Sequence, residues 1–187
     1  LTLEIFDVPG HTKDHIAILD QKNKNFFVGD ALGDKFTDRL IIPPFMPPFW
    51  DKKDFFASIE KVKQIEFDSI CLGHFGCLYG EEARNFLDET LDTFNQWWKV
   101  FETAEEEDKL DDIDYLKDLV MKETTTTQDV IDAADFKLQK FMFKVLLGSV
   151  NSFRRLFRKK PITPAEILMP EVLEWLSNGY KISKGID

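Results

Sequence analysis

The run Leu1-Thr-Leu-Glu-Ile-Phe-Asp-Val8-Pro9-Gly10-His11-Thr12-Lys13-Asp14-His15, continued by Ile16-Ala-Ile-Leu-Asp20 and by Phe26-Phe-Val-Gly-Asp30, decides the fold. Residues 2–8 alternate apolar and polar, the period of a strand with one face buried. Pro9-Gly10 breaks that pattern. Residues 15–20 read as a second strand and Phe26–Val28 as a short, buried third. The five polar residues Gln21–Asn25 between these two predict a hairpin. Three strands within 30 residues place a sheet at the start of the chain.

Outward from this core, residues 31–50 show no periodicity and read as a long loop. Pro43, Pro44, Pro47 and Pro48 exclude a helix or an interior strand at its end. Asp51 is placed to cap a helix over 52–64, with Phe55, Phe56, Ile59 and Val62 on one face. Residues 67–72 predict another strand, and Gly73-His74-Phe75-Gly76 a glycine-flanked loop. A helix rich in Phe and Trp follows over about 80–102.

From about 104 the character changes. Glu105–Asp108 and Asp111-Asp112 read as a solvated acidic loop, and 111–122 as a helix. Residues 128–159 read as one long helix, or two hinged near Gly148, ended by Pro161. Thr163-Pro164 starts a last helix to about 178, which Pro170 could divide. The first 80 residues are thus mixed α and β, and the last hundred nearly all helix. The division expected is 1–103 and 104–187.

The chain has 187 residues, 43% hydrophobic and 31% charged, with 18 Phe and 4 Trp. That is a soluble globular composition with a large aromatic core or interface. Its formal net charge of -10 disfavours nucleic acid and anionic membranes, which need clustered cations. No run of 18 uncharged apolar residues predicts a membrane span. Cys71 and Cys77 form no disulfide framework, so a reducing cytoplasm is the default expectation. Cys71-x-x-His74-x-x-Cys77 could be a soft metal site, but Cys71 lies in an apolar strand and reads better as core. The basic run Arg154–Lys160 could meet phosphate; cations completing a helix C-terminus are the stronger reading. Phe136–Val150 is apolar on more than one face, as in a buried or dimer helix.

Three short motifs carry the chemistry: Pro9-Gly10-His11-Thr12, Val28-Gly29-Asp30-Ala31 and Leu72-Gly73-His74-Phe75-Gly76. Each sets a metal-ligating side chain after a strand, at a turn that glycine lets bend tightly. In order and context they resemble the metallo-β-lactamase superfamily, most closely its hydroxyacylglutathione-hydrolase-like branch, over about residues 1–80. The resemblance implies that His11 binds one metal, that Asp30 bridges two and acts in catalysis, and that His74 binds the second. His15 follows the first ligand without being counted as one. The family's His-x-His-x-Asp-His motif is absent, because the only histidines are 11, 15 and 74.

The resemblance therefore implies an α+β fold: the C-terminal half of an αββα sandwich with a helical C-terminal extension. The parent protein would be a metal-dependent hydrolase of a small ester, thioester or lactone, working through a metal-bound hydroxide. Two zinc ions are the expected cofactors, with iron or manganese open. The chain alone, opening directly on a strand and lacking the upstream motif, is expected to be inactive. Its expected partner is the missing N-terminal half or a second copy. A nuclease of the same fold, and a non-catalytic half-domain with an oligomerising tail, are the alternatives. Phe45, Phe49 and Trp50 are candidates for a substrate wall, with core packing the equal alternative.

Overall fold

The computed structural model describes residues 1–37, 40–45, 47–74, 76–124 and 165–186. The expected 128–159 helix, the Phe136–Val150 stretch and the basic run at 154–160 lie outside them.

Five strands make the main sheet: β1 (Leu3–Asp7), β2 (Ile16–Asp20), β3 (Asn25–Gly29), β6 (Ser69–Leu72) and β7 (Gly76–Tyr79), in the order β1-β2-β3-β6-β7. Neighbours are antiparallel except β3 and β6, which run parallel. A parallel pair needs a long crossover. Here it contains a small two-stranded sheet of β4 (Asp34–Thr37) and β5 (Leu40–Ile42), then helix α1 (Lys52–Val62). The long helix α2 (Gly80–Glu106), α3 (Ile113–Glu123) and α4 (Ala165–Lys184) complete the described elements. The class is mixed α and β, as expected.

Helix α1 starts where its cap predicts: the Asp51 carboxylate accepts the Asp54 backbone N–H at 2.9 Å. Phe55, Ile59 and Val62 are its buried face, and Ser58 and Lys61 donate to the carbonyls of Pro9 and Asp7. Those two bonds tie α1 to the segment that carries His11. The α2 face that turns inward presents Phe86, Phe94, Trp97, Trp98 and Phe101. Phe94 lies at the centre of an aromatic cluster, with ring centroids 5.1–5.9 Å from Phe45, Trp50, Phe55, Phe56 and Trp98. Helix α2 runs through residue 103, and the buried core continues into α3 and α4 through Leu116, Val120, Leu173 and Tyr180. Pro170 lies inside α4, which is continuous.

Three local expectations need correction. The 31–50 loop contains β4 and β5, whose signal is masked because Lys35 occupies a buried position. Its side chain is 3% exposed and pairs with Glu82 of α2 at 2.9 Å. Residues 76–79 form a strand, antiparallel to β6, that their composition does not announce. The cysteines are not thiols: Cys71 and Cys77 face each other across the β6–β7 hairpin and form a disulfide. A soft thiolate metal site is thereby removed, together with the reason two free thiols gave for a reducing compartment. No helix among the described residues is long and apolar enough to cross a membrane.

The two faces of the sheet differ. Ala17, Leu19, Phe26, Val28, Ile70 and Leu78 are buried. The alternate residues Ile5, Ile18, Phe27, Cys71 and Cys77 form one row across all five strands. Ile5 is 64% and Phe27 47% exposed, and Leu3, Ile16 and Tyr79 flank the row in the open. This is an apolar sheet face without a covering layer among the described residues.

Candidate metal centre

The ends of β3 and β6 lie side by side at one edge of the sheet, and both carry a ligand-type residue just beyond them. Gly29 ends β3 at φ +54°, a left-handed conformation that suits glycine. The chain turns sharply: Ala31 N–H donates to the Val28 carbonyl and Gly33 N–H to the Asp30 carbonyl. With Gly33 at φ +96°, this turn brings Asp34, the first residue of β4, back beside Asp30. Across the parallel pair, Gly73 N–H donates to the Gly29 carbonyl, docking the His74 loop on the same turn. The contact is tight enough that a Cβ on Gly73 would stand 1.9 Å from the Asp30 Oδ1. A larger residue there would push the Asp30 carboxylate out of its present position.

One oxygen each of Asp30 and Asp34 and one ring nitrogen of His74 lie within 4.8 Å of one another. His74 Nε2 is 3.6 Å from Asp30 Oδ1. Asp30 Oδ1 and Asp34 Oδ1 are buried and accept no hydrogen bond from any N–H or hydroxyl donor; the one bond open to the two carboxyls is with each other, through a proton held on Asp34. Buried carboxylate oxygens without donors are costly, because water is lost and nothing replaces it. Burial, then the Asp30 charge, push the Asp34 carboxyl up to about 7, against the opposing effect of His74. Two facing acidic side chains, one nitrogen ligand and unsatisfied inward oxygens are a donor set that fits a divalent cation.

His11 lies outside this group. Its Nδ1 is 3.2 Å from the Pro44 carbonyl, and its ring is 6.0 Å from that of His15. The His15 Nδ1 lies 3.2 Å from the Ile16 carbonyl. A carbonyl only accepts, so Nδ1 is the donor in each contact, which leaves Nε2 as the nitrogen pointing away from it. A metal-ligating histidine has the same polarity. His15 approaches the centre more closely than its sequence context suggests: a Cβ on Gly29 would meet its Cε1 at 3.1 Å and Nε2 at 3.3 Å. Burial, with the His11 ring beside it, lowers the His15 pKa.

The structure thus brings Asp30 and His74 together and adds Asp34, which the motif reading passed over. A signal existed: Gly29-Asp30 recurs as Gly33-Asp34, a four-residue spacing that returns to the same edge if a turn intervenes. Phe45 and Trp50 are buried in the aromatic cluster, while Phe49 is exposed. Lys35, next to Asp34, ties β4 to the first turn of α2 through Glu82.

The disulfide flanks the His74 loop on both sides and holds the strands that present it. Replacing both cysteines, as Cys71→Ser with Cys77→Ser, should lower stability by about 2 kcal/mol, the loop-closure entropy for so short a ring. The midpoint of urea unfolding reads this, and an unchanged midpoint would show that the hairpin is held by its other contacts.

No family model matches this sequence, and no curated protein matches it. Among solved structures, an archaeal metallo-β-lactamase superfamily protein from Sulfolobus tokodaii is similar at 23% identity and a TM-score of 0.41. The match covers 48% of this chain and 32% of that one, so the chain spans about a third of the solved protein's length.

Proposed function

We propose that this chain carries the metal centre of a metal-dependent hydrolase of the metallo-β-lactamase kind. The observation that carries the reading is the meeting of Asp30 and His74 at adjacent strand ends, with a buried carboxylate oxygen left without a partner. Asp30 and His74 are the residues that would hold zinc, iron or manganese, with His15 beside Gly29 and His11 beyond it. When bound, such a cation polarises a carbonyl and lowers the pKa of water toward ~7, which suits an ester, thioester or lactone substrate. The chain's own residues fix the position of that chemistry. Gly29 and Gly73 let the two loops close on each other, and the disulfide steadies the His74 loop.

The open apolar face favours completion by another sheet. Ile5, Ile18 and Phe27 form a row that a facing sheet would bury, as in a sandwich with sheets about 10 Å apart. We propose an N-terminal half as that sheet, with a second copy of the chain as the alternative. Either way the ligand set would be completed beyond this chain, and the chain alone would turn over poorly.

The test is hydrolysis by the native protein that contains this chain. A thioester, a lactone and a phosphodiester are assayed before and after chelation, then after adding zinc back. Carbonyl hydrolysis that falls on chelation and returns with zinc is the expected result. Preference for the phosphodiester would move the reading to a nuclease. Activity indifferent both to chelation and to Asp30→Asn would overturn it.

A further inference from the structure

We propose that Asp34 is a metal ligand, so that Asp30, Asp34 and His74 form a three-donor site for one divalent cation within this chain. The proposal rests on the reading that Asp30 holds a metal, and adds to it a residue that lies outside the three motifs.

Four observations support it. The three donor atoms lie within 4.8 Å of one another, close enough for one ion to reach all three after small side-chain movements. The inward oxygens of both aspartates are buried and accept no hydrogen bond from an N–H or hydroxyl donor, so a cation or a shared proton is what can hold the two carboxyls together. The backbone is committed to the arrangement: the Gly29 and Gly33 turns have positive φ, and Gly73 leaves no room for a side chain beside Asp30 Oδ1. Lys35 anchors the strand that begins with Asp34 to α2, so Asp34 stands on a held element.

The donor types narrow the ion. Two carboxylates and one imidazole suit zinc, manganese or ferrous iron, and not a soft cuprous ion, whose thiolate ligands are tied up in the disulfide. Three protein donors leave coordination positions open, the pattern of catalytic rather than structural zinc sites.

Calorimetric titration of the full chain with zinc chloride tests this, with circular dichroism confirming that each variant is folded. The wild type should bind one ion. Asp30→Asn should abolish binding. Asp34→Asn and Asp34→Ala should each weaken it by at least about tenfold, the scale on which even supporting residues of metal sites act. If both Asp34 variants bind as tightly as wild type while Asp30→Asn does not bind, Asp34 is no ligand and the Asp30 reading stands. If the wild type itself binds no zinc, the three-donor site within this chain falls, while the Asp30 reading is then decided by the chelation assay on the native protein.

Discussion

Replacing Asp34 by Asn should make the metal-free chain more stable at pH 8, by roughly 2–4 kcal/mol. The carboxyl titrates near 3.8 when unfolded and is pushed up to about 7 when folded, by burial first and by Asp30 second. Between these values the unfolded chain has released its proton while the folded chain holds it. The folded state binds more protons, so stability falls as pH rises. The penalty begins above pH 3.8 and is complete above about 7. A shift of that size corresponds to roughly 4 kcal/mol at about 1.4 kcal/mol per unit; the lower bound allows for Asp30 sharing the proton. Asn keeps the shape and removes the charge. Urea unfolding at pH 8 and at pH 3.5 reads the effect: a gain at the first, little difference at the second. Equal stability at pH 8 would mean that neither burial nor the Asp30 charge penalises the ionised Asp34 carboxylate. Zinc should reverse the ranking, because a cation repays the wild-type pair and not the variant.

Phe94→Ala should cost about 3–5 kcal/mol, the range for removing a buried aromatic side chain. Phe94 is fully buried and in ring contact with residues from three parts of the chain: the Pro-rich segment through Phe45 and Trp50, α1 through Phe55 and Phe56, and its own helix through Trp98. It joins the segment between β5 and α1 to the long helix, so its loss opens a cavity at the junction rather than at one element's edge. Thermal unfolding should show a drop of many degrees. Phe49→Ala, at an exposed neighbour in the same segment, is the control and should change little. A small effect at Phe94 would show that the cluster collapses to fill the space.

The parts of the fold legible in the sequence are those where a local rule suffices. Strands β1 to β3 show themselves by alternation and by the Pro9-Gly10 break. The start of α1 follows from Asp51, because capping is settled within four residues. The β4–β5 sheet is hidden because a buried Lys35 interrupts its apolar pattern, and its pairing with Glu82, 47 residues away, is not visible in the local sequence. Strand β7 is short, and its pairing depends on register with β6, which the four residues 76–79 do not encode alone. The disulfide has the same cause: six residues of separation do not place two cysteines opposite each other until the hairpin does.

For the site, residue type and order at strand ends point to His11, Asp30 and His74, and the resemblance supplies their metal roles; the structure brings Asp30 and His74 to 3.6 Å and leaves His11 on the Pro44 carbonyl. Asp34 escaped because it opens a strand that itself escaped. His11 and His15 show the limit from the other side. Their motif is explicit, yet their distance from Asp30 is set by how α1 and Pro44 hold the β1–β2 loop, through the Ser58, Lys61 and His11 contacts.

We propose above all that a divalent cation belongs between Asp30 and His74. Crystals of the chain grown with zinc, with diffraction collected on both sides of the zinc absorption edge, test it directly. The expected result is an anomalous peak about 2.0–2.2 Å from an Asp30 carboxylate oxygen and from a His74 ring nitrogen, the usual zinc distances. Zinc bound only elsewhere, with Asp30 Oδ1 left without a partner or taken up by a hydrogen bond, would contradict it.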